Sequence, residues 1–181
     1  MKIRRTLIMM SLMAASVMSQ DGAGAGTVAD LPAGLQEALL RDAACEKHGN
    51  SPARDQARFL ETPIVTQEIR GATHAEVGVI AAFQDGCHCR DTNCTNYVYL
   101  KNGQGYKLAF SRVFASLHPM RVFKRGLPSL TGKVQMSESK AETTIYDWTG
   151  SQYQPSLCAT LTQGKGQARP TIARHGCAKG P

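Results

Sequence analysis

The chain has 181 residues, of which 42% are hydrophobic and 19% charged, and its formal net charge is +7. This length predicts one domain of modest size that can bury a core. The basic balance is compatible with an anionic partner, and the export signal described next argues against nucleic acid as that partner.

The first residues form this export signal. Lys2, Arg4 and Arg5 make a positive segment, the apolar run TLIMMSLMAASVM follows, and small residues appear near Ser19. This layout is typical of a secretory signal peptide at 1–19 and predicts a periplasmic or secreted protein. The alternative is a membrane anchor, although the run is shorter than the roughly 18 residues that a spanning helix needs. No second such run follows, so we expect no transmembrane segment in the mature chain.

A flexible leader and a helix are predicted next. Residues 20–29 are rich in glycine and alanine, and Asp30 suits the N-cap of a helix that ends near Gly49. Within this helix, leucines recur every four residues and define one apolar face. The segment SPARDQAR, residues 51–58, is interpreted as a loop.

Strand patterns occupy the middle of the chain. FLETPIVTQEI contains a proline and predicts an edge or broken strand, whereas AEVGVIAAF predicts a buried one. TNYVYL and YKLAFSRVF flank the turn KNGQG and predict a hairpin. MRVFKRG predicts another strand, and GKVQMSES pairs with KAETTIYDW before YQPSL.

One short motif occurs twice. Tyr-x3-Gly-x2-Tyr spans 99–106 and again 146–153, and an Arg-Gly pair precedes each copy, at Arg70 and Arg125. We interpret the motif as one hairpin used twice, since glycine permits the positive φ of a turn.

The six cysteines predict a disulfide framework, because their even number follows an export signal. We expect Cys89 to pair with Cys94 across a tight loop and Cys158 with Cys177 at the tail. Cys45 would then pair with Cys87. Each bridge is expected to contribute about 2–4 kcal/mol. All six cysteines lie after the signal: Cys45, Cys87, Cys89, Cys94, Cys158 and Cys177.

Charge is distributed unevenly along the chain. Residues 20–100 hold six basic and eleven acidic residues, whereas 101–181 hold twelve basic and three acidic residues. Either the second half meets an anionic partner, or the two halves face each other within one fold.

The segments VGVIAAF, YVYLKNGQGYKLAF and TTIYDWTGSQYQP, with the cysteine loop between the first two, resemble uncharacterised exported bacterial proteins built from FG-GAP-like strand-turn-strand units. The resemblance covers roughly residues 30–157 and implies a hairpin-built fold and export, with no established activity. IRGATHAEVGV stands where those proteins carry an acidic glycine-rich segment, so calcium binding is not implied here.

Catalytic and metal-binding motifs are sparse. Cys87-x-Cys89-x4-Cys94 does not match the spacing of structural zinc ligands, so no metal and no cofactor are predicted. A thioredoxin-like Cys-x-x-Cys, a Gly-x-Ser-x-Gly elbow and a complete phosphate loop are missing from the sequence. The protein is therefore more consistent with a binding protein than with an enzyme, although distant carboxylates could still form a site.

These patterns predict one α+β domain at 30–158, with an N-terminal helix packed on a mainly antiparallel, disulfide-stapled sheet that carries two related hairpins. A basic Gly/Pro-rich tail follows at 159–181.

The functional hypothesis is a non-enzymatic binding protein with a protein partner in the cell envelope, for instance an inhibitor or immunity protein against an envelope-targeting enzyme. One alternative is an envelope hydrolase or redox enzyme with a Cys/His site, and another is a protein that binds anionic lipid or polysaccharide. The candidate contact residues lie in the cysteine loop and near the hairpin tips: His88, Arg90, Asp91, Tyr99, Arg121, Lys124, Arg125 and Trp148.

Overall fold

The computed structural model describes residues 23–43, 52–103, 105–166 and 168–177. The predicted signal peptide and Cys45 lie outside these residues. Within them, neither helix is long and apolar enough to cross a membrane.

The first antiparallel sheet is built around a ten-residue central strand, β5. β5 pairs with β3 and the short β4 along one edge and with β6 along the other, while β2 and β1 extend the sheet beyond β3. The strands of this sheet are β1 (Ala23–Thr27), β2 (Pro63–Arg70), β3 (Glu76–Phe83), β4 (Cys89–Arg90), β5 (Asn93–Asn102) and β6 (Gly105–Phe114).

The second sheet is an antiparallel meander in which each strand pairs with the next one along the chain. β6 passes through Ala115 directly into its first strand, so the two sheets are joined by one nearly continuous segment. The strands of the second sheet are β7 (Ser116–Lys124), β8 (Leu127–Ser137), β9 (Lys140–Trp148), β10 (Tyr153–Thr162) and β11 (Thr171–His175).

One face of the first sheet packs against the N-terminal helix α1 (Ala33–Ala43). Burial at i, i+3, i+4 and i+8 gives α1 a single apolar face, as the leucine spacing predicted. The buried side chains of α1 are Leu35, Ala38, Leu39 and Ala43. A short 3-10 turn (Val28–Asp30) precedes α1, and a second helix, α2 (Pro52–Leu60), follows it.

The opposite face of the first sheet packs against the second sheet. Alternation along β3 directs Val79 and Ala81 towards the helices and Ile80 towards the second sheet. Ile80 shares this second core with Leu130 and Tyr146. The fold is therefore mostly antiparallel β, with helices, first sheet and second sheet stacked as three layers.

Both predicted hairpins are confirmed, as β5–β6 and β9–β10. Gly103 and Gly150 adopt φ angles of 61° and 107°, as the repeated motif required. Tyr99 nevertheless packs in the helix-side core and Tyr146 in the core between the sheets, so the two copies serve different layers.

Several expectations need correction. The single sheet is two sheets, because β3 and β5 carry apolar residues on both faces and each face needs a covering layer. The predicted loop at 51–58 falls largely within α2. The strand with a proline, β2, is an interior strand, since Pro63 occupies its first position, where the missing N–H does little harm.

The predicted leader and tail also differ from the structure. Ala23–Thr27 forms the edge strand β1, whose glycines and alanines tolerate close pairing with β2. At the other end, β10 continues to Thr162 and Thr171–His175 returns as the edge strand β11. The Cys158–Cys177 bridge brings this polar, glycine-rich segment back to the sheet. Composition indicates flexibility in such segments but cannot report a long-range pairing.

Candidate binding surfaces

The strands of both sheets run between two opposite ends of the molecule. β5 begins at Asn93 beside the cysteine loop and finishes at Asn102, roughly 30 Å away at about 3.3 Å per residue. We call residues 85–94 with the β8–β9 turn the cystine end. The turns β2–β3, β5–β6, β7–β8 and β9–β10 form the hairpin end, where the Ala72 amide donates to the Gly126 carbonyl at 3.2 Å.

A miniature hairpin closed by a disulfide projects at the cystine end. Cys89 pairs with Cys94 in the strand register and bonds to it covalently, which confirms this predicted bridge. Asp91, with a φ of 56°, makes the turn between them. Arg90, Asp91 and Thr92 form the exposed tip, which is the polar part of the predicted contact surface.

Asn93 anchors this cystine hairpin to the second sheet. Its side-chain amide donates to the Gln135 carbonyl at 2.9 Å, and its side-chain oxygen accepts from the Gln135 amide at 2.8 Å. The paired hydrogen bonds imitate one rung of a β ladder between elements 42 residues apart. The tip is therefore held from two sides, by the disulfide and by β8.

His88 was predicted as a surface contact, but its side chain is only 6% exposed. Its ring stacks on Phe83 with centroids 4.1 Å apart, because the loop folds back beneath α1. Nε2 lies 2.7 Å from the carbonyl of Ala43, the last residue of α1, and Nδ1 lies 2.8 Å from the Asp85 carboxylate. Both partners are oxygen acceptors, so in each bond the ring donates through an N–H. His88 thus caps the C-terminal end of α1 and is a structural residue.

The Asp85 carboxylate binds backbone amides of the loop that follows it. One carboxylate oxygen accepts the Cys87 amide at 3.0 Å and the His88 amide at 2.8 Å. Partial burial by itself raises the pKa of Asp85, but the hydrogen bonds and charge of His88 and the Cys87 amide outweigh it and lower that pKa.

Asp85, Cys87 and His88 also bring three potential ligand atoms within 4.8 Å of one another. The Cys87 sulfur is in a disulfide and offers no thiolate to a metal. Among the described cysteines none is free. Cys158–Cys177 is confirmed as a bridge, while the Cys45–Cys87 pairing stays a prediction because Cys45 lies outside the described residues.

An open groove separates the cystine hairpin from the β8–β9 turn. Its volume is about 600 Å³, and its walls include Asp91, Asn93, Met136 and Glu138. Asp91 and Glu138 contribute exposed carboxylates to the lining, and Gln135 is a half-buried part of it. The groove can accept a side chain or a short segment of a partner that contacts the tip.

The hairpin end carries a different surface. Arg121, Lys124 and Arg125 are all exposed on β7 and its turn, as expected for contact residues. Trp148 is half-buried and packs on Tyr153 with ring centroids 5.2 Å apart, so only part of its ring is accessible.

Tyr99 is not a contact residue. Its side chain is fully buried and its hydroxyl donates to the Ala38 carbonyl at 3.3 Å. Burial raises the pKa of Tyr99, so the phenol stays neutral under ordinary conditions. The prediction failed because a tyrosine near a turn in sequence lies three residues inside the strand, where it meets α1.

The predicted surface therefore divides into two. Arg90 and Asp91 lie at the cystine end, whereas Arg121, Lys124, Arg125 and Trp148 lie at the hairpin end. Sequence reasoning missed Asn93 and Asp85, although the spacing Asp85-x2-His88 is a signal for a carboxylate that accepts local amides. It also gave no surface role to Val122 and Phe123, two exposed apolar residues among cations.

Comparisons of the chain with protein-family models, with curated proteins and with solved structures give no match. The resemblance to FG-GAP-like hairpin proteins therefore stays a prediction.

Proposed function

We propose that this protein is a non-enzymatic binding protein of the periplasm or the extracellular space, and that it presents the cystine hairpin to a protein partner in the cell envelope. The observation that carries the proposal is the exposed tip Arg90–Thr92 on an immobilised base. A recognition loop that is fixed before contact loses little conformational entropy on binding, so more of its contact energy appears as affinity.

Three features support a binding role at this end. The Cys89–Cys94 bridge fixes the two arms of the hairpin, and the two Asn93 hydrogen bonds fix its angle to β8. The adjacent groove offers a concave surface beside the convex tip. An exposed tip of this kind can enter an enzyme cleft, while the groove beside it can receive a side chain of the enzyme. We therefore propose, as the specific version, inhibition of an envelope-targeting enzyme.

Affinity capture from detergent-extracted envelope tests the proposal, because detergent removes intact bilayers as a binding partner. The double variant Arg90→Ala/Asp91→Ala should lose capture of any partner that uses the tip. Asn93→Ala keeps the tip side chains but releases their anchor, and should weaken affinity for the purified partner about tenfold.

Arg121→Ala/Lys124→Ala is the matched control, since it removes two exposed charged residues at the opposite end. Unchanged capture by Arg90→Ala/Asp91→Ala, or equal loss in the control, would overturn the assignment of the cystine hairpin. The inhibitor version further requires that the captured partner be an enzyme whose activity falls when the protein is added.

A further inference from the structure

The end of β7 and the turn that follows it present six consecutive exposed residues, Arg121 to Gly126. Val122 is 49% exposed and Phe123 40% exposed, and they stand between cationic side chains on both sides. A strand on a sheet surface normally alternates between buried and exposed side chains. This stretch departs from that alternation and leaves two large apolar groups in solvent.

A bulge causes the departure. Pro119 pairs with Leu130 and Phe123 pairs with Pro128, so three residues of β7 span the distance that the single residue Ser129 spans on β8. The extra residues push the edge strand outward. The adjacent turn, Arg125–Gly126, has φ angles of 50° and 88° at its two residues and closes the hairpin tightly.

The cations of this stretch stand without acidic partners. None of the ion pairs in the described part of the chain involves Arg121, Lys124 or Arg125. Asp147 lies near the end of β9, on the side of the hairpin end. Its carboxylate accepts a hydrogen bond from the Ser129 hydroxyl at 2.6 Å. Three cations without an ion-pair partner among the described residues therefore cluster at this hairpin.

From these observations we propose that the β7–β8 hairpin docks on an anionic lipid bilayer, with Val122 and Phe123 at the boundary of headgroups and acyl chains and the three cations on lipid phosphates. Apolar side chains flanked by Lys and Arg are the composition that binds such interfaces. A soluble anionic polymer would bind the cations but would leave the two apolar side chains exposed to water. Protection of the edge strand against aggregation likewise accounts for the charges and the bulge only.

Docking at this end is compatible with the proposed function and independent of it. The cystine hairpin lies at the other end of β5, roughly 30 Å away along that strand at about 3.3 Å per residue. A protein held to a bilayer by the β7–β8 hairpin would display its cystine hairpin away from the lipid surface.

Co-flotation of the exported chain with vesicles tests the proposal. Vesicles of phosphatidylglycerol mixed with phosphatidylcholine should carry the protein, whereas phosphatidylcholine alone should not, and salt should weaken the binding. Val122→Ser/Phe123→Ser should lower the affinity about tenfold. Each of Arg121→Ser and Lys124→Ser should lower it about fivefold.

Matched controls come from the cystine end. Met136 is 56% exposed and Lys140 is exposed, so Met136→Ser and Lys140→Ser remove the same kinds of side chain from the opposite end and should leave vesicle binding unchanged. Far-ultraviolet circular dichroism establishes that each variant is folded. Phe123→Trp should shift its fluorescence to shorter wavelength with the anionic vesicles.

Four outcomes would overturn lipid docking at this hairpin. One is absence of binding, or equal binding to neutral vesicles. Another is anionic vesicle binding that Val122→Ser/Phe123→Ser does not change. A third is equal binding to soluble dextran sulfate with the same dependence on Val122 and Phe123. The last is a lipid-independent dimer that dissociates in Val122→Ser/Phe123→Ser, because the surface would then join two copies of this chain.

Discussion

At the cystine end, the loop is fixed by a disulfide, by the Asn93 hydrogen bonds to Gln135 and by the buried His88 ring beneath α1. At the hairpin end, the described turns are fixed by backbone geometry, with positive φ at Gly103, Gly126 and Gly150. Long-range side-chain contacts therefore hold the cystine end, whereas the hairpin end combines local turn conformation with a backbone hydrogen bond between Ala72 and Gly126. We therefore expect substitutions of single side chains to destabilise the cystine end, whereas substitutions of turn glycines should destabilise the hairpin end.

The largest difference in stability between the two ends is expected from substituting one histidine at each end. His88→Ala removes a buried ring and its hydrogen bonds to the Ala43 carbonyl and the Asp85 carboxylate, although Asp85 keeps its two backbone amide donors, so the free energy of unfolding should fall by about 3 kcal/mol. His74, which is exposed in the β2–β3 turn with a φ of 63°, supplies the control. His74→Asn, whose side chain tolerates that φ, should change stability by less than about 0.5 kcal/mol.

Urea unfolding followed by the fluorescence of the single tryptophan, Trp148, measures both variants. A loss below about 1 kcal/mol for His88→Ala would mean that the capping bonds contribute little. The cystine end would then depend on its disulfide and on the Asn93 hydrogen bonds.

Next in size is a comparison within one strand. Asn93 and Asn102 are the first and last residues of β5, one bonded to Gln135 and the other exposed. Asn93→Ala should cost about 2 kcal/mol, because the Gln135 amide and carbonyl lose their partners, and Asn102→Ala about 0.5 kcal/mol or less. Equal effects of the two substitutions, measured by the same unfolding experiment, would contradict the difference between the ends.

Glycine substitution reverses the expected order of the two ends. Gly126 has a φ of 88° and open space around it, so Gly126→Ala should cost about 1 kcal/mol through backbone strain alone. Gly86, in the loop before His88, also has open space but does not adopt that left-handed conformation. Gly86→Ala should be neutral or slightly stabilising by thermal unfolding. A neutral Gly126→Ala would show that the turn relaxes without loss.

The smallest expected effect is a dependence of stability on pH that arises at the cystine end. The pKa of Asp85 is lowered in the folded state, so its contribution is complete above the unfolded value near 4 and is lost as pH falls through the folded pKa. The stability difference between the wild type and Asp85→Asn should therefore shrink as acid is added. Denaturant midpoints at a series of pH values measure this difference, and a gap that widens in acid would reverse the assigned sign.

Much of the fold was predictable because its signals are local. Alternating β-branched residues and Asn-Gly or Arg-Gly turns marked β3, β5, β6 and the β8–β9 pair, and short sequence separation marked the Cys89–Cys94 bridge. The number of sheets was not predictable from the same patterns. Apolar residues on both faces of β3 predict a buried strand, but several architectures contain such strands. In the structure the helices cover one face and the second sheet covers the other.

For the candidate site, the sequence predicted the exposure of some residues correctly and that of others wrongly. Exposure of Arg90, Asp91, Arg121 and Lys124 agreed with their polar character, whereas His88 and Tyr99 were misplaced. Their positions depend on α1, whose Ala43 carbonyl is 45 residues from His88 and whose Ala38 carbonyl is 61 residues from Tyr99. A residue's own neighbours in sequence carry no information about such contacts.

The hairpins and their turns were predictable from the sequence, because they depend on residues close together along the chain, whereas six cysteines left fifteen disulfide pairings open. The three-dimensional fold was needed to place the cystine hairpin and the cationic β7–β8 hairpin at opposite ends, and to show that His88 and Asn93 fix the first of them. Strand direction and sheet stacking set which distant side chains meet, and both arise because the two faces of the first sheet are buried.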